Sequence, residues 1–350
     1  MGRYDSPILN ITLPPAITIP TIPLTLLYGG LLTLDYFLLR YDSKLPINPT
    51  HLRIIIGLYH FIIPFCIDSP YAVGNISFML QPWASTAQIV YLSQTKTSLT
   101  EWIPKMIKIA TFQDTQAALP PNEIRKKGLI KVARALVKYT VMKCVVDWIL
   151  PNHYSLVLRF PFYNPFSLVM TYLFAVRIYC MMGVTDFVMG IIQTLFAIPF
   201  HDVFNNPFWA SSPKDFWNKR WNRAVSHMFH QYVFADIKKS EAKQKKDNDD
   251  KRFLSKSMLC GLLIFLISGL FHDFMIVAVT RDFTLELTTF FLLHGIAVML
   301  QVKYGPKKEP QGIWHLLGNL MTVVFFVTTG RLFLGPILRH EEFVEIAKKF

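Results

Sequence analysis

The chain has 350 residues, of which 52% are hydrophobic and 14% aromatic, and its 36 lysines and arginines against 23 aspartates and glutamates give a net charge of +13. With a mean hydropathy of +0.33, this composition excludes an ordinary soluble domain. It also argues against nucleic-acid binding, because the positive charge lies between apolar windows, where membrane topology and anionic lipid headgroups account for it.

Taken in chain order, the apolar windows are Ile17–Leu39, Ile54–Ile67, a weaker Ser85–Ser93, Leu129–Leu150, Phe166–Phe200, Met258–Val279, Leu287–Val302 and Ile313–Leu338. Most approach the ~20 residues that a helix rising 1.5 Å per residue needs to cross hydrocarbon. They predict an all-α fold, a polytopic transmembrane helical bundle of about eight spans, within a range of roughly seven to nine. The range reflects Phe166–Phe200, which carries Arg177, Asp186, Gly183 and Gly190 and can be read as one long tilted helix or two short ones. The first window has only Arg3 as a basic flank and no convincing small-residue cleavage site, so it reads as a retained anchor.

Basic residues cluster at Lys105–Arg134, Lys214–Arg223, Lys238–Lys256 and Lys303–Lys308. Placing all four on the cytoplasmic side satisfies the positive-inside rule and leaves both termini lumenal. The sequons Asn10-Ile11-Thr12 and Asn75-Ile76-Ser77 then fall in the lumen, as glycosylation requires. The expected location is the endoplasmic reticulum membrane. The run KKSEAKQKKDNDDKR, Lys238–Arg252, is polar and mixed in sign, which predicts a solvated cytoplasmic loop over 236–256.

Cys66, Cys144, Cys180 and Cys260 have neither a CxxC pair nor metal-ligand spacing, so they read as packing thiols and no metal site is expected. No internal repeat, glycine-rich phosphate loop, GxSxG elbow or HExxH is present.

Two stretches remain. NNPFWASSPKDFWNKRWNRAVSHMFHQYVF, Asn205–Phe234, contains a capped helix start at Ser212-Pro213. A helix from there sets Trp217 and Trp221 on one face with Lys214, and Asn218 and Asn222 one position round. An interfacial amphipathic helix explains its aromatic and basic residues and leaves the asparagines unexplained. The second stretch is FLISGLFHDF, Phe265–Phe274, which sets His272 and Asp273 deep in an apolar helix. Ionisable residues at such depth face a cavity or a polar partner. Ser268 one turn earlier and His294 near the middle of the next window favour a polar pocket, lined by Ser268 and His294, over a simple helix-to-helix hydrogen bond.

SSPKDFWNKRWN, then FLISGLFHD, then FFLLHG at Phe290–Gly295, in that order, resemble the wax-synthase-like branch of the membrane-bound O-acyltransferase (MBOAT) superfamily. The resemblance covers about Asn205–Gln301 and divides a single integral membrane domain, 1–350, into N-terminal helices over 1–200 and a catalytic core over 201–338. It implies His272 as catalytic base and Asn222 as the second signature polar residue, with Asp273 beside the base. Many relatives carry a glutamate shortly after the His-Gly pair; this chain has Gln301, to which no role is assigned.

The implied chemistry suits these residues. A hydroxyl must lose its proton as it attacks a thioester carbonyl, which is work for a histidine, and an asparagine amide can donate to the developing oxyanion. Acyl-CoA, with acetyl-CoA favoured, is the implied co-substrate, with no permanently bound cofactor. Lys214, Lys219, Arg220 and Arg223 with Trp217 and Trp221 form the expected coenzyme A contacts. The acceptor is a lipophilic alcohol: a terpenoid, polyketide, sterol or long-chain alcohol, with the motif form pointing to fungal secondary-metabolite acetyltransferases. Two other classes account for buried charges. One is a transporter using Asp147, Arg177 and Asp186; the other is a membrane terpenoid cyclase or isomerase using His272 and Asp273 as acid and base.

Overall fold

A computed structural model describes residues 6–71, 74–79, 98–110, 113, 119–223, 225–226, 256–306, 308, 310–340 and 343–345, the side chains of 109–110 excepted. Its helices are α1 (Thr21–Arg40), α2 (Pro49–Cys66), α3 (Leu99–Ala110), α4 (Pro121–Val141), α5 (Pro165–Met181), α6 (Gly183–Phe196), α7 (Lys256–Thr280), α8 (Glu286–Tyr304) and α9 (Ile313–Arg339). Six helical segments among the described residues are long and apolar enough to cross a membrane: α1, α2, α5 with α6 as one 32-residue segment, α7, α8 and α9. The helical membrane bundle expected from hydropathy is the fold observed.

The Leu129–Leu150 window is not among the six. α4 begins earlier, at Pro121, and ends in a π-helical turn, Met142–Val146, before a last short turn, Asp147–Ile149. Lys131, Lys138 and Asp147 break its apolar run, and they are used internally. Lys138 Nζ lies 2.8 Å from Asp186 of α6 and 4.2 Å from the centre of the Tyr179 ring, while Arg177 Nε lies 2.8 Å from Asp147 Oδ1. Phe166–Phe200 is likewise interrupted, at Met182, between α5 and α6. The Ser85–Ser93 window and the Lys238–Arg252 loop lie outside the described residues.

Contacts divide the chain into two units, and the division cuts across the expected partition at residue 200. One unit comprises Met1–Ile8, Asp114–Phe271 and Thr284–Phe350; the other comprises Leu9–Gln113 and His272–Phe283. Helix α7 runs from the first into the second.

In the larger unit, α4 packs along α6 because both carry glycine at the crossing. A Cβ on Gly190 would lie 2.8 Å from the Gly128 carbonyl oxygen, and one on Gly128 would lie 2.8 Å from that of Gly190. Small residues at a helix crossing let the backbones approach this closely. Its apolar core joins Val146, Leu150, Tyr154, Val157, Phe174 and Leu334.

The smaller unit is built on α1 and α2. Asn48 caps α2, its side chain accepting the Thr50 N–H at 2.8 Å, and Pro49 sits at the helix start. The buried stripe of α2 repeats every fourth residue, at Leu52, Ile56, His60 and Pro64. Two short strand pairs gather chain ends on one side: β1 (Ile11–Thr12) pairs antiparallel with β4 (Asp282–Phe283), and β2 (Ile17–Thr18) pairs parallel with β3 (Ile67–Asp68). The ends of α2 and α7 therefore emerge beside the segment preceding α1. Asn75, of the second sequon, holds Ser69 through both side-chain atoms, accepting its N–H at 2.7 Å and donating to its carbonyl at 3.0 Å.

Candidate functional site

The basic-aromatic motif does not form the continuous helix that its spacing suggests. Ser212 caps the start by accepting the Asp215 N–H at 3.0 Å, but after Pro213–Asp215 the backbone widens into a π-helical turn, Phe216–Arg220. The Trp221 N–H reaches back to the Phe216 carbonyl at 2.8 Å, and the Trp221 ring stacks on Phe216 at 14°. Asn222 then leaves the helix with φ of +44°, a left-handed conformation that asparagine tolerates better than most residues. Its side-chain oxygen faces the Val225 N–H at 3.5 Å, as a cap of the next turn. Asn218 and Asn222 are thus not neighbours on one helical face. The extra residue of the π turn shifts Trp221, and the positive φ redirects Asn222.

Contacts on both sides hold this turn in place. The segment before it pairs with the segment after it: the Asn205 N–H donates to the Arg220 carbonyl at 2.9 Å and the Arg223 N–H to the Val203 carbonyl at 2.8 Å. From α9, the Asn319 amide donates to the carbonyls of Phe208 and Ala210 at 2.8 and 2.9 Å. From α8, Gln301 Oε1 accepts the Lys214 N–H at 2.9 Å. Gln301 therefore satisfies a helix-start donor, a job that a glutamate would also do.

The expected cations are not equivalent. Arg220 is committed to Asp215, Nε to Oδ2 at 2.6 Å, and to the Asn206 carbonyl at 3.3 Å. Lys219 and Arg223 are exposed and Lys214 is half-buried.

Trp217 points the other way, into the larger unit. Its Nε1–H donates to His294 Nδ1 at 3.1 Å. An indole N–H can only donate, so His294 Nδ1 accepts and Nε2 carries the ring proton. That proton faces Thr329 Oγ1 at 2.9 Å, and the threonine hydroxyl donates to the Phe325 carbonyl at 2.8 Å. His294 is fully buried, with the rings of Phe290, Phe325 and Phe326 at 4.1, 4.7 and 4.4 Å. Both ring nitrogens are engaged, so in this arrangement His294 anchors the motif. Gly295 beside it leaves room for Phe265, which would lie 2.8 Å from a Cβ there.

His272 and Asp273 lie on α7, roughly 24 Å from Lys256 at 1.5 Å per residue. Ser268 is one turn earlier. At Gly269, α7 presses on α8, where a Cβ would lie 2.6 Å from Thr288 Cα. Asp273 is buried and His272 half-buried, and both take part in further interactions within the protein. In the smaller unit Phe274 packs edge-on against Phe61 and Phe65 at 4.7 and 4.8 Å. The described residues contain no group of three or more side chains able to hold a metal.

A second buried pair lies outside the motifs. His60 Nε2 lies 2.7 Å from Asp35 Oδ2, between α2 and α1. A signal existed: each is an ionisable residue inside an apolar window, spaced in register with the buried stripe of its helix.

Outside the apolar helices, burial works against the Asp202 carboxylate, but Lys131 and Arg134 outweigh it and hold the group below the ordinary carboxylate range. Arg134 lies 2.9 Å from Asp202 and Lys131 3.6 Å.

Fold and motifs together define a polytopic membrane protein with a deep histidine and an ordered basic-aromatic turn. The family model described as "Membrane bound O-acyl transferase family" matches residues 200–293, a stretch that contains Asn222, His272 and Asp273. Over that stretch the chain is similar to this family. It is 36% identical over 141 residues to a putative long-chain-alcohol O-fatty-acyltransferase 10 of Arabidopsis thaliana, a match covering 39% of each chain. It is 31% identical over 140 residues to a long-chain-alcohol O-fatty-acyltransferase of Simmondsia chinensis, covering 39% of this chain and 38% of the relative. The matched stretch thus spans about two fifths of these curated relatives.

Proposed function

We propose that the protein is a membrane-embedded O-acyltransferase that moves an acyl group from acyl-CoA to the hydroxyl of a lipophilic alcohol. The observation that carries this reading is the family match over 200–293, which takes in both the basic-aromatic turn and the α7 histidine. In the reaction the alcohol oxygen attacks the thioester carbonyl carbon while His272 accepts the hydroxyl proton. The C–S bond then breaks, and the coenzyme A thiolate leaves with the proton that His272 returns. Asn222 supplies an amide donor to the oxyanion, and Asp273 supports the imidazole. These three roles rest on the motifs that contain the residues. Lys214, Lys219 and Arg223 are the cations offered to coenzyme A phosphates, with Trp217 and Trp221 fixing the turn that presents them; Arg220 serves that turn through Asp215.

The relatives' names, fatty-acyl transfer to long-chain alcohols, support a long-chain acyl donor and acceptor. The form of SSPKDFWNKRWN supports acetyl-CoA with a terpenoid or polyketide alcohol. Both fit a protein of the endoplasmic reticulum membrane. Transport through Asp147, Arg177 and Asp186 is the weaker reading, because Arg177 pairs with Asp147 and Lys138 with Asp186. Microsomes expressing the chain are fed labelled acetyl-CoA or palmitoyl-CoA with a panel of lipophilic alcohols, and the products are read by mass spectrometry. An ester formed with one donor assigns the acyl length. No ester with any pairing, against an active wax-synthase control, defeats the proposal.

A further inference from the structure

In the smaller unit, Asp35 and His60 are both on the buried stripes of apolar helices, and their side chains are 0% and 2% exposed. A buried ionic pair is stable only when its remaining lone pairs and protons also find partners. Among the described residues, they do not. Asp35 Oδ1 and His60 Nδ1 are buried with no hydrogen-bond partner, and so are the Tyr59 hydroxyl and Trp102 Nε1. Tyr59 and Trp102 belong to one packed cluster with Leu39 and Ile56, which flank the pair along α1 and α2. The Tyr59 ring lies 4.6 Å from the His60 imidazole, and the Trp102 ring lies 4.5 Å from that of Tyr36, the residue after Asp35.

The chemistry of these atoms selects a ligand class. With the Asp35 carboxylate accepting from His60 Nε2–H, Nδ1 presents a lone pair, as Oδ1 does. The Trp102 N–H can only donate, and the Tyr59 hydroxyl does either. A bound anion would meet the Asp35 charge, and an ammonium group, which only donates, would leave the indole N–H unmatched. A hydroxyl both donates and accepts. We propose that Asp35 and His60 form a hydroxyl-binding site between α1 and α2, which takes the polar end of a lipophilic alcohol or a water molecule. The alcohol version rests on the acyltransferase reading and gives the acceptor a second polar station in the membrane; the site itself does not depend on it.

The test is binding, not turnover. The full chain is labelled with 15N-histidine and placed in lipid nanodiscs, and the signal lost in His60→Gln identifies the His60 ring. 1-Dodecanol is titrated against dodecane as the apolar control. A saturable shift of the His60 nitrogens with dodecanol and not with dodecane assigns an alcohol. Magnetisation transfer from water to the His60 ring without a dodecanol response assigns water. Absence of both responses overturns the proposal and leaves a helix-to-helix clip. If His60→Gln does not fold, Tyr59→Phe identifies the signal by moving it while leaving the pair intact. A dodecanol shift in a protein that makes no ester keeps this site and defeats the acyltransferase reading; ester formation without either response does the reverse.

Discussion

Trp217 Nε1 lies 3.1 Å from His294 Nδ1, across a sequence separation of 77 residues. This bond joins the basic-aromatic turn to the middle of α8 and fixes the imidazole tautomer, with Thr329 on its far side. It is a part-buried polar contact whose acceptor, His294, is fully buried among aromatic rings, a setting in which loss of one partner is costly.

Trp217→Phe should keep most of the aromatic packing and leave His294 Nδ1 without a donor. We predict a loss of about 1–3 kcal/mol of stability, read as a lower thermal midpoint in detergent. His294→Gln should lower it as well, and the double variant should lose less than the sum of the two. Strict additivity would show that the bond contributes nothing measurable.

For Asn222, backbone and side chain can be separated. Its φ of +44° is one that glycine adopts freely and alanine does not. Asn222→Gly should therefore fold like the parent, whereas Asn222→Ala is strained there. If the side chain stabilises the oxyanion, Asn222→Gly should still lower acyl transfer at least ~10-fold, since one such donor is worth a few kcal/mol. Near-parental turnover of a folded Asn222→Gly protein would reduce Asn222 to a turn residue.

Asp202 gives a pH-dependent expectation. Its carboxyl is held below the ordinary range in the fold. The ion pairs therefore add stability above the unfolded value, about 3.9, and lose it as the pH falls through the lower folded value. Asp202→Asn should lower the thermal midpoint at neutral pH, and the gap to the parent should narrow as the pH falls below the unfolded value. A gap of constant size throughout acid titration would mean that the effect is packing, not charge.

The span windows were legible because hydropathy is a local property of the chain, and α1, α2, α7, α8 and α9 lie close to where it put them. The break in α4 was harder to see. Lys131 and Lys138 look like the end of a cytoplasmic cluster until Asp186 and Asp202 are brought to them from residues far along the sequence. The motif turn failed for a similar reason. Spacing at 3.6 residues per turn puts Trp217 and Trp221 on one face, but the partners that stabilise a π turn come from α8 and α9, which no local pattern reveals. His272 and Asp273 stood out because charge at bilayer depth is expensive. Asp35 and His60 carry the same signal, and each alone in its window is easily taken for an isolated polar residue.

His272 is where the acyltransferase proposal is most exposed. It lies on a 25-residue helix of almost wholly apolar composition, and a group so placed either takes part in chemistry or holds helices together. His272→Ala removes a base and also a polar contact, so folding must be checked by extracted yield and thermal midpoint. With folding intact, loss of a general base should lower the acyl-transfer rate roughly 10²- to 10⁴-fold. Asp273→Asn should do less, because an amide still forms hydrogen bonds and only the charge is lost. Binding of coenzyme A to the basic-aromatic turn should survive both changes, so a fall in rate with unchanged affinity separates chemistry from substrate capture. A His272→Ala protein that keeps more than half of the parental rate would make the histidine a packing residue, and the proton would have to leave the alcohol by another route.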